Sequence, residues 1–96
     1  MEFLESSFKK NEEVSWRVVD DEAFLVSPKD LLVYPLNTVA TRIWELLDGR
    51  KKIKGIIDII DNEFEMERTV IEEDALAFIK DLLDAELIEK RVSKKG

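Results

Sequence analysis

The sequence contains neither cysteine nor histidine among its 96 residues. Without cysteine the chain cannot form a disulfide framework, a thiolate nucleophile or a zinc–thiolate site. Without histidine it lacks the commonest general base and a frequent metal ligand. Both absences narrow the catalytic and metal-binding chemistry open to the chain, and we expect no bound cofactor or metal.

Long apolar runs and an excess of positive charge are also missing. The first residues, MEFLESSFKKNEE, contain no apolar stretch of the length that a signal peptide or a membrane span requires, so the reducing cytoplasm is the expected compartment. The 15 basic residues are outnumbered by 22 acidic ones, which gives a net charge of −7. Nucleic-acid binding depends mainly on lysine and arginine, so the charge argues against a nucleic-acid partner.

What is present is one small domain with nearly half its residues apolar. Residues 1–13 mix charges with a few apolar side chains and carry no turn signal, so we expect a mobile arm, or a weak amphipathic helix that docks on the body or on a second copy. Residues 14–92 are expected to form the folded domain. Residues 93–96 are expected to be a frayed tail.

Three short segments rich in β-branched and aromatic residues open the domain: VSWRVV, AFLVS and LLVYPL. Asp20-Asp21 supplies a turn between the first two segments. Ser27-Pro28-Lys29-Asp30 fits a type I turn before the third. The pattern predicts a three-stranded antiparallel meander.

The period of the apolar residues then changes to that of helices. The first predicted helix has Asn37 as its N-cap and Gly49 at its C-terminal end. The second runs from about Ile53 to Phe64 with a poorly capped start, and the third runs from a capping box at Thr69–Glu72 to about Ala85. The final LIEKRV predicts a short strand. This order predicts an α+β fold of the winged helix-turn-helix type.

At this point the sequence resembles the PqqD family. The resemblance covers about residues 14–89, and downstream it rests on IKGIIDIIDNEF and EEDALAFIKDLLDAELIE. The residues that carry the family pattern between the third strand and the end of the first helix are Leu36, Asn37, Ala40, Ile43, Asp48 and Gly49. Lys29, Lys52 and Glu86 depart from the usual family residues, which leaves the particular pathway open.

The resemblance implies a non-catalytic domain that binds the leader of a ribosomally made precursor peptide. Such domains present the leader to a modifying enzyme, often a radical SAM protein, and the product of the founding pathway is pyrroloquinoline quinone. The leader adds as a strand beside the third strand of the domain. Its side chains reach a cleft between that strand and the third helix.

Elementary strand geometry points to the same edge. Leu31, Val33 and Pro35 direct their backbone groups to one side of the third strand, and the missing N–H of proline costs least on a free edge. We therefore expect Leu31 and Val33 to pair with a peptide and Pro35 to end the pairing. The full set of expected peptide-binding residues is Leu31, Leu32, Val33, Tyr34, Pro35, Leu76, Ile79, Lys80 and Leu83. The alternative is that these residues complete the core and that Pro35 only protects the edge from aggregation.

The densest basic stretch of the body consists of Arg50, Lys51, Lys52 and Lys54. It is either a solvated face or a docking site for a partner protein. Two rival functions remain open from the sequence. One is a winged-helix DNA-binding regulator, which the acidic third helix disfavours. The other is a scaffold that forms a homodimer through its N-terminal arm.

Overall fold

The computed structural model describes residues 2–91, which form an α+β fold. The elements among these residues, in chain order, are α1 (Glu2–Glu5), β1 (Ser7–Lys10), β2 (Ser15–Val19), β3 (Glu22–Val26), β4 (Val33–Pro35), α2 (Thr38–Leu46), β5 (Asp48–Lys52), α3 (Ile53–Glu63), α4 (Arg68–Asp84) and β6 (Ile88–Lys90). The predicted meander, three helices and closing strand are therefore confirmed. None of the helices within this range is long and apolar enough to cross a membrane.

The first sheet is the predicted antiparallel meander, with strand order β2-β3-β4. Both turn residues between β2 and β3 have left-handed backbone angles, with φ of 53° at Asp20 and 67° at Asp21. A two-residue turn with positive φ at both positions matches the natural twist of a hairpin, and aspartate tolerates this conformation better than most residues. In β4, Tyr34 lies opposite Leu25 of β3. The turn thus fixes the register of β2 against β3, and β4 pairs with the other side of β3 and lies at one edge of the sheet.

A second sheet, with strand order β5-β1-β6, was not expected from the sequence. Its middle strand, β1, comes from the segment predicted to be a mobile arm. Phe8 is only 2% exposed, and its ring lies 5.6 Å from that of Phe3. Among the described residues the arm is therefore part of the folded body, because burial of Phe8 and pairing on both edges of β1 hold it there. The expected frayed tail, residues 93–96, lies outside the described residues.

Helix α2 begins as predicted and ends earlier than predicted. The Asn37 side chain accepts a hydrogen bond of 2.8 Å from the backbone N–H of Ala40, which is the expected N-cap. The C-cap is Leu47, so the prediction that Gly49 closes this helix is wrong. Gly49 lies instead in β5 with φ of +82°. Its left-handed conformation lets the chain turn from the end of α2 into the second sheet.

The starts of α3 and α4 show how weakly capping signals decide helix boundaries. Helix α3 begins without a side-chain cap at Lys52, as its sequence indicates. Helix α4 begins at Arg68 with Glu67 at the N-cap position and no side-chain cap, so the predicted capping box at Thr69 is wrong. Arg68 instead contacts Asp58 at 2.6 Å, and it also pairs with Asp61 and Glu72. These contacts tie the start of α4 to α3.

The core lies between the helices, the inner face of the first sheet and the second sheet. Its largest fully buried side chains are Trp44, Leu25, Ile43, Leu47, Ile53, Ile56, Ile57, Ile60, Ile71, Ile79 and Leu87. Isoleucine dominates because the inner faces of α3 and α4 both supply it. The Lys10 ammonium lies 5.6 Å from the ring of Trp16 and 5.5 Å from that of Trp44, so it links β1 to the first sheet and to α2. Burial lowers the pKa of Lys10.

Candidate functional site

Strand β4 has one edge paired with β3 and one edge open. The backbone N–H of Leu36 donates to the carbonyl of Ala23 at 2.8 Å, and the carbonyl of Leu32 accepts from Ser27 at 3.0 Å. Since backbone groups alternate in direction along a strand, Leu32, Tyr34 and Leu36 point to β3. Val33 and Pro35 therefore point to the other side, where no strand pairs within residues 2–91. The structure thus directs the backbone groups of Val33 and Pro35 to the open edge of β4, as we expected.

Leu31, which we expected to pair with a peptide, does not offer its N–H. This group donates to the carbonyl of Ser27 at 2.8 Å, and the φ of Leu31 is +62°. The residue therefore belongs to the turn before β4 and not to the extended strand. The turn is further held by the Asp30 carboxylate, which accepts from the N–H of Leu32 at 3.0 Å. The open ladder therefore begins at Val33 and has no outward N–H at Pro35.

An apolar groove lies beside β4 and has a volume of about 350 Å³. It is lined by Tyr34, Pro35 and Leu36 from β4 and its end, and by Phe78, Asp81, Leu82, Ala85 and Leu87 from α4 and the segment after it. The groove therefore lies between the third strand of the meander and the last helix. This is the position expected from the family resemblance.

The face of α4 that lines the groove is not the predicted one. Helical geometry separates Leu76 and Leu83 from Phe78 and Ala85 by roughly 180° around the axis. Ile79 is 0% exposed and belongs to the core. Leu76, Ile79, Lys80 and Leu83 therefore do not line this groove. Phe78 and Leu82 line the groove instead, and because they lie at helical spacing from the buried Ile71 and Ala75, periodicity alone does not distinguish them from core residues.

A second cavity of about 350 Å³ adjoins the groove on the side of α2. Asn37, Val39, Ala40 and Ile43 line it from α2 and its cap, and Asp74, Ala77, Phe78 and Asp81 line it from α4. Phe78 and Asp81 line both cavities, so the two lie side by side, and we call the pair the β4–α4 groove. Among residues 2–91 its lining is apolar apart from Asn37 and two carboxylates, and it includes no lysine or arginine. The predicted Lys80 is exposed and lies outside it.

The four predicted basic residues lie on a different surface. Arg50, Lys51 and Lys52 belong to β5, and Lys54 belongs to the first turn of α3. Lys51 pairs with Asp48 at 2.8 Å, and this bond is the first of several that hold the pKa of Asp48 far below its usual range. The Asp48 carboxylate also accepts the backbone N–H groups of Arg50 and Lys51, at 2.9 and 3.0 Å.

The partner of Lys52 and Lys54 could not be foreseen from the sequence. Both ammonium groups lie 3.0 Å from carboxylate oxygens of Glu5 in α1. These hydrogen bonds, that of Lys52 first, lower the pKa of Glu5. Arg50 has no ion pair among the residues described, and it faces a separate cleft together with residues from β6. Within this part of the chain, no three carboxylates come together as a metal-binding group.

An open strand edge beside an apolar groove is the arrangement by which domains bind an extended peptide through strand addition. Comparison with known proteins identifies the family. The family model described as "Coenzyme PQQ synthesis protein D (PqqD)" matches residues 22–88. This match covers more than half of the chain, so the protein belongs to the PqqD family, as the sequence resemblance indicated.

A solved structure of TbiB1 in complex with the TbiA(beta) leader peptide is also similar to this chain. The two chains are 32% identical, and the match has a TM-score of 0.75. It covers 84% of this chain and 94% of TbiB1. The predicted fold is thereby confirmed. Comparison with curated proteins gave no match.

Proposed function

We propose that this protein binds the leader segment of a ribosomally made precursor peptide and presents it to a modifying enzyme. The leader pairs as an added strand with the open edge of β4, and its side chains enter the β4–α4 groove. The observation that carries this proposal is the outward-facing backbone of Val33 directly beside an apolar groove. Family membership and the leader peptide bound to TbiB1 support it.

The short open edge restricts how a leader can pair. Val33 offers one N–H and one carbonyl, and Pro35 offers a carbonyl alone. Few backbone hydrogen bonds are therefore available, and side chains must supply much of the affinity. Because alternate residues of an added strand face the same side, every second leader residue is directed at the groove. Pro35 thus limits the backbone hydrogen bonds between the leader and β4, and the groove selects which leader residues lie opposite β4.

The lining of the groove favours particular leader side chains. Tyr34, Phe78, Leu82 and Leu87 supply apolar surface, which suits bulky apolar residues of the leader. Asp81 lines both cavities, and no basic residue from the described part of the chain lines either one. A leader with a lysine or arginine near its apolar residues therefore suits this groove better than an acidic leader.

The proposed role is binding without catalysis, so the chemistry belongs to a separate enzyme. A radical SAM enzyme is the partner that we propose from the family, with a product related to or different from pyrroloquinoline quinone. Because a precursor peptide is made on ribosomes, we also propose that the protein acts in the cytoplasm.

The proposal is tested by titration with fluorescein-labelled leader peptides, synthesised from the short reading frames that flank the gene. We expect saturable binding of one of these peptides and none of its scrambled form. Absence of binding up to tens of micromolar for every such peptide would count against the proposal, because that concentration already corresponds to only about 6 kcal/mol.

Amide NMR shifts locate the peptide. The N–H of Val33 should shift on peptide addition, because it faces the open edge of β4. Val18 provides the matched control, since strand alternation directs its N–H to the open edge of β2 on the other side of the same sheet. A shift at Val18 with none at Val33 would mean that the peptide adds to the wrong edge and would overturn the proposal.

A further inference from the structure

A second cleft, which shares no lining residue with the β4–α4 groove, brings together four basic residues of the fold. Its volume is about 610 Å³, and we call it the basic cleft. The residues that line it are Glu5, Ser6, Ser7, Gly49, Arg50, Lys52, Lys90 and Arg91. None of them lines the β4–α4 groove, so the two surfaces can be occupied at the same time.

The second sheet brings these residues together from distant parts of the chain. The backbone N–H of Arg91 donates to the carbonyl of Ser7 at 2.8 Å, and the Arg91 guanidinium donates to the carbonyl of Gly49 at 3.1 Å. A Cβ at position 49 would lie 3.2 Å from the Cβ of Lys9 and 3.5 Å from Nη1 of Arg91. Glycine, with φ of +82°, therefore keeps the strand close enough to hold this guanidinium.

The charge of the cleft contrasts with that of the whole chain, whose net charge is −7. Of the residues that the structure describes, four basic ones line it against one carboxylate, Glu5. Its oxygens lie 3.0 Å from the ammonium groups of Lys52, which lines the cleft, and of Lys54 in the first turn of α3. Arg50 and Lys90 make no ion pair within residues 2–91, so their charges are available to an incoming anion.

We propose that the basic cleft docks an acidic segment of the modifying enzyme, an inference that rests on the proposed leader binding. A domain that presents a peptide must hold the enzyme through a surface outside the peptide groove. The cleft is such a surface, and its charge is complementary to carboxylates. A short acidic segment suits it better than a nucleic acid, since a long polyanion would extend over the acidic remainder of the protein.

The chemistry is tested with a fluorescein-labelled octaglutamate peptide and the full chain at about 50 mM salt, where surface charges are weakly screened. The double variant Arg50→Glu and Lys90→Glu should weaken binding about tenfold, since each lost pair contributes modestly and reversal adds repulsion. The matched control is Arg17→Glu with Lys80→Glu, which makes the same change of charge outside the cleft. The control should bind within about twofold of wild type.

A gain of affinity provides the sharper test. Glu5→Gln removes the internal carboxylate and releases Lys52 and Lys54 for the octaglutamate peptide. Its binding should become about threefold tighter, whereas a merely structural role of Glu5 predicts no gain. Equal binding by the Arg50/Lys90 variant and its control would overturn the proposal. Tighter binding of a short oligothymidylate of similar charge would also overturn it, because the cleft would then be a nucleic-acid site.

Two further measurements separate this proposal from the proposed function. The Arg50/Lys90 variant should lose capture of the modifying enzyme encoded beside the gene and should keep its affinity for the leader. Loss of leader affinity with enzyme capture intact would assign the cleft to the precursor and overturn the proposal. Val33→Pro should have the opposite effect, with weakened leader binding and unchanged octaglutamate binding. If the leader titration alone fails, the proposed leader binding fails, and the octaglutamate titration still decides whether the basic cleft binds an acidic peptide.

Discussion

Replacement of Val33 by proline isolates the open edge of β4 from the rest of the fold. The N–H of Val33 points away from β3, so its loss breaks no hydrogen bond of the sheet. The ring is tolerated at an edge strand, where Pro35 already occupies an equivalent outward position. We therefore expect the unfolding free energy of V33P to lie within about 1 kcal/mol of the wild-type value.

The cost to peptide binding follows from the single N–H that is lost. A leader carbonyl that accepted this bond is left unpaired between the added strand and β4. Leaving a buried acceptor unsatisfied costs about 1–3 kcal/mol, which corresponds to roughly 5- to 150-fold in the dissociation constant. The value is large for this site because β4 offers only one outward N–H over its three residues. A longer ladder would dilute the effect.

The assay is fluorescence anisotropy with the leader peptide, together with urea unfolding of each variant. Val33→Ala is the first control, because it keeps the N–H and shortens only the side chain of a residue that is 57% exposed; it should bind within about threefold of wild type. Tyr34→Pro is the second, because the N–H of Tyr34 points to β3 and its loss should lower the unfolding free energy by about 2 kcal/mol or more. Wild-type peptide affinity in folded V33P would refute strand addition at β4.

Three other substitutions test the groove, the helix start and the ion pairs. Ala85→Trp should block the β4–α4 groove and weaken leader binding about tenfold in the same anisotropy assay, with an unfolding midpoint close to that of wild type. Asn37→Ala removes the cap on Ala40 and should lower the unfolding free energy by about 1 kcal/mol, or the Tm by roughly 4–8 °C, in a thermal melt. Asp48→Asn should reduce the loss of stability at acidic pH. The pKa of Asp48 is lowered in the folded state, so the carboxylate stabilises the fold above its unfolded pKa of about 4, and this stabilisation is lost as the pH falls. For this exposed group the difference between wild type and D48N, measured by urea unfolding at neutral and acidic pH, should be below about 1 kcal/mol.

Local sequence signals were sufficient for most of the first sheet and the helices. Alternating β-branched residues and paired turn residues define a meander, and apolar side chains at helical spacing define α2, α3 and α4. These features depend on neighbours within a few residues, so periodicity reports them. Capping signals were less reliable. Asn37 acts as predicted, whereas the start of α4 is displaced because Arg68 pairs with three carboxylates, two of which lie in α3.

The second sheet could not be read in the same way. Strand β5 reads DGRKK and contains no apolar alternation, so nothing in its own residues indicates a strand. It forms because β1 lies beside it, and β1 is held by the burial of Phe8 and by β6 near the other end of the chain. Such pairing depends on contacts between residues far apart in sequence, which local propensity does not contain.

The sequence by itself determined the family, the meander with its three helices, and the strand that offers an edge, since PqqD-like spacing and the parity of Val33 and Pro35 are local properties. Only the tertiary structure decided which face of α4 lines the groove, because Ile79 turns into the core and carries Leu76 and Leu83 away from β4. It also decided that Leu31 closes a turn. The basic cleft likewise exists only in the folded chain, where residues of α1, β5 and β6 meet across the second sheet.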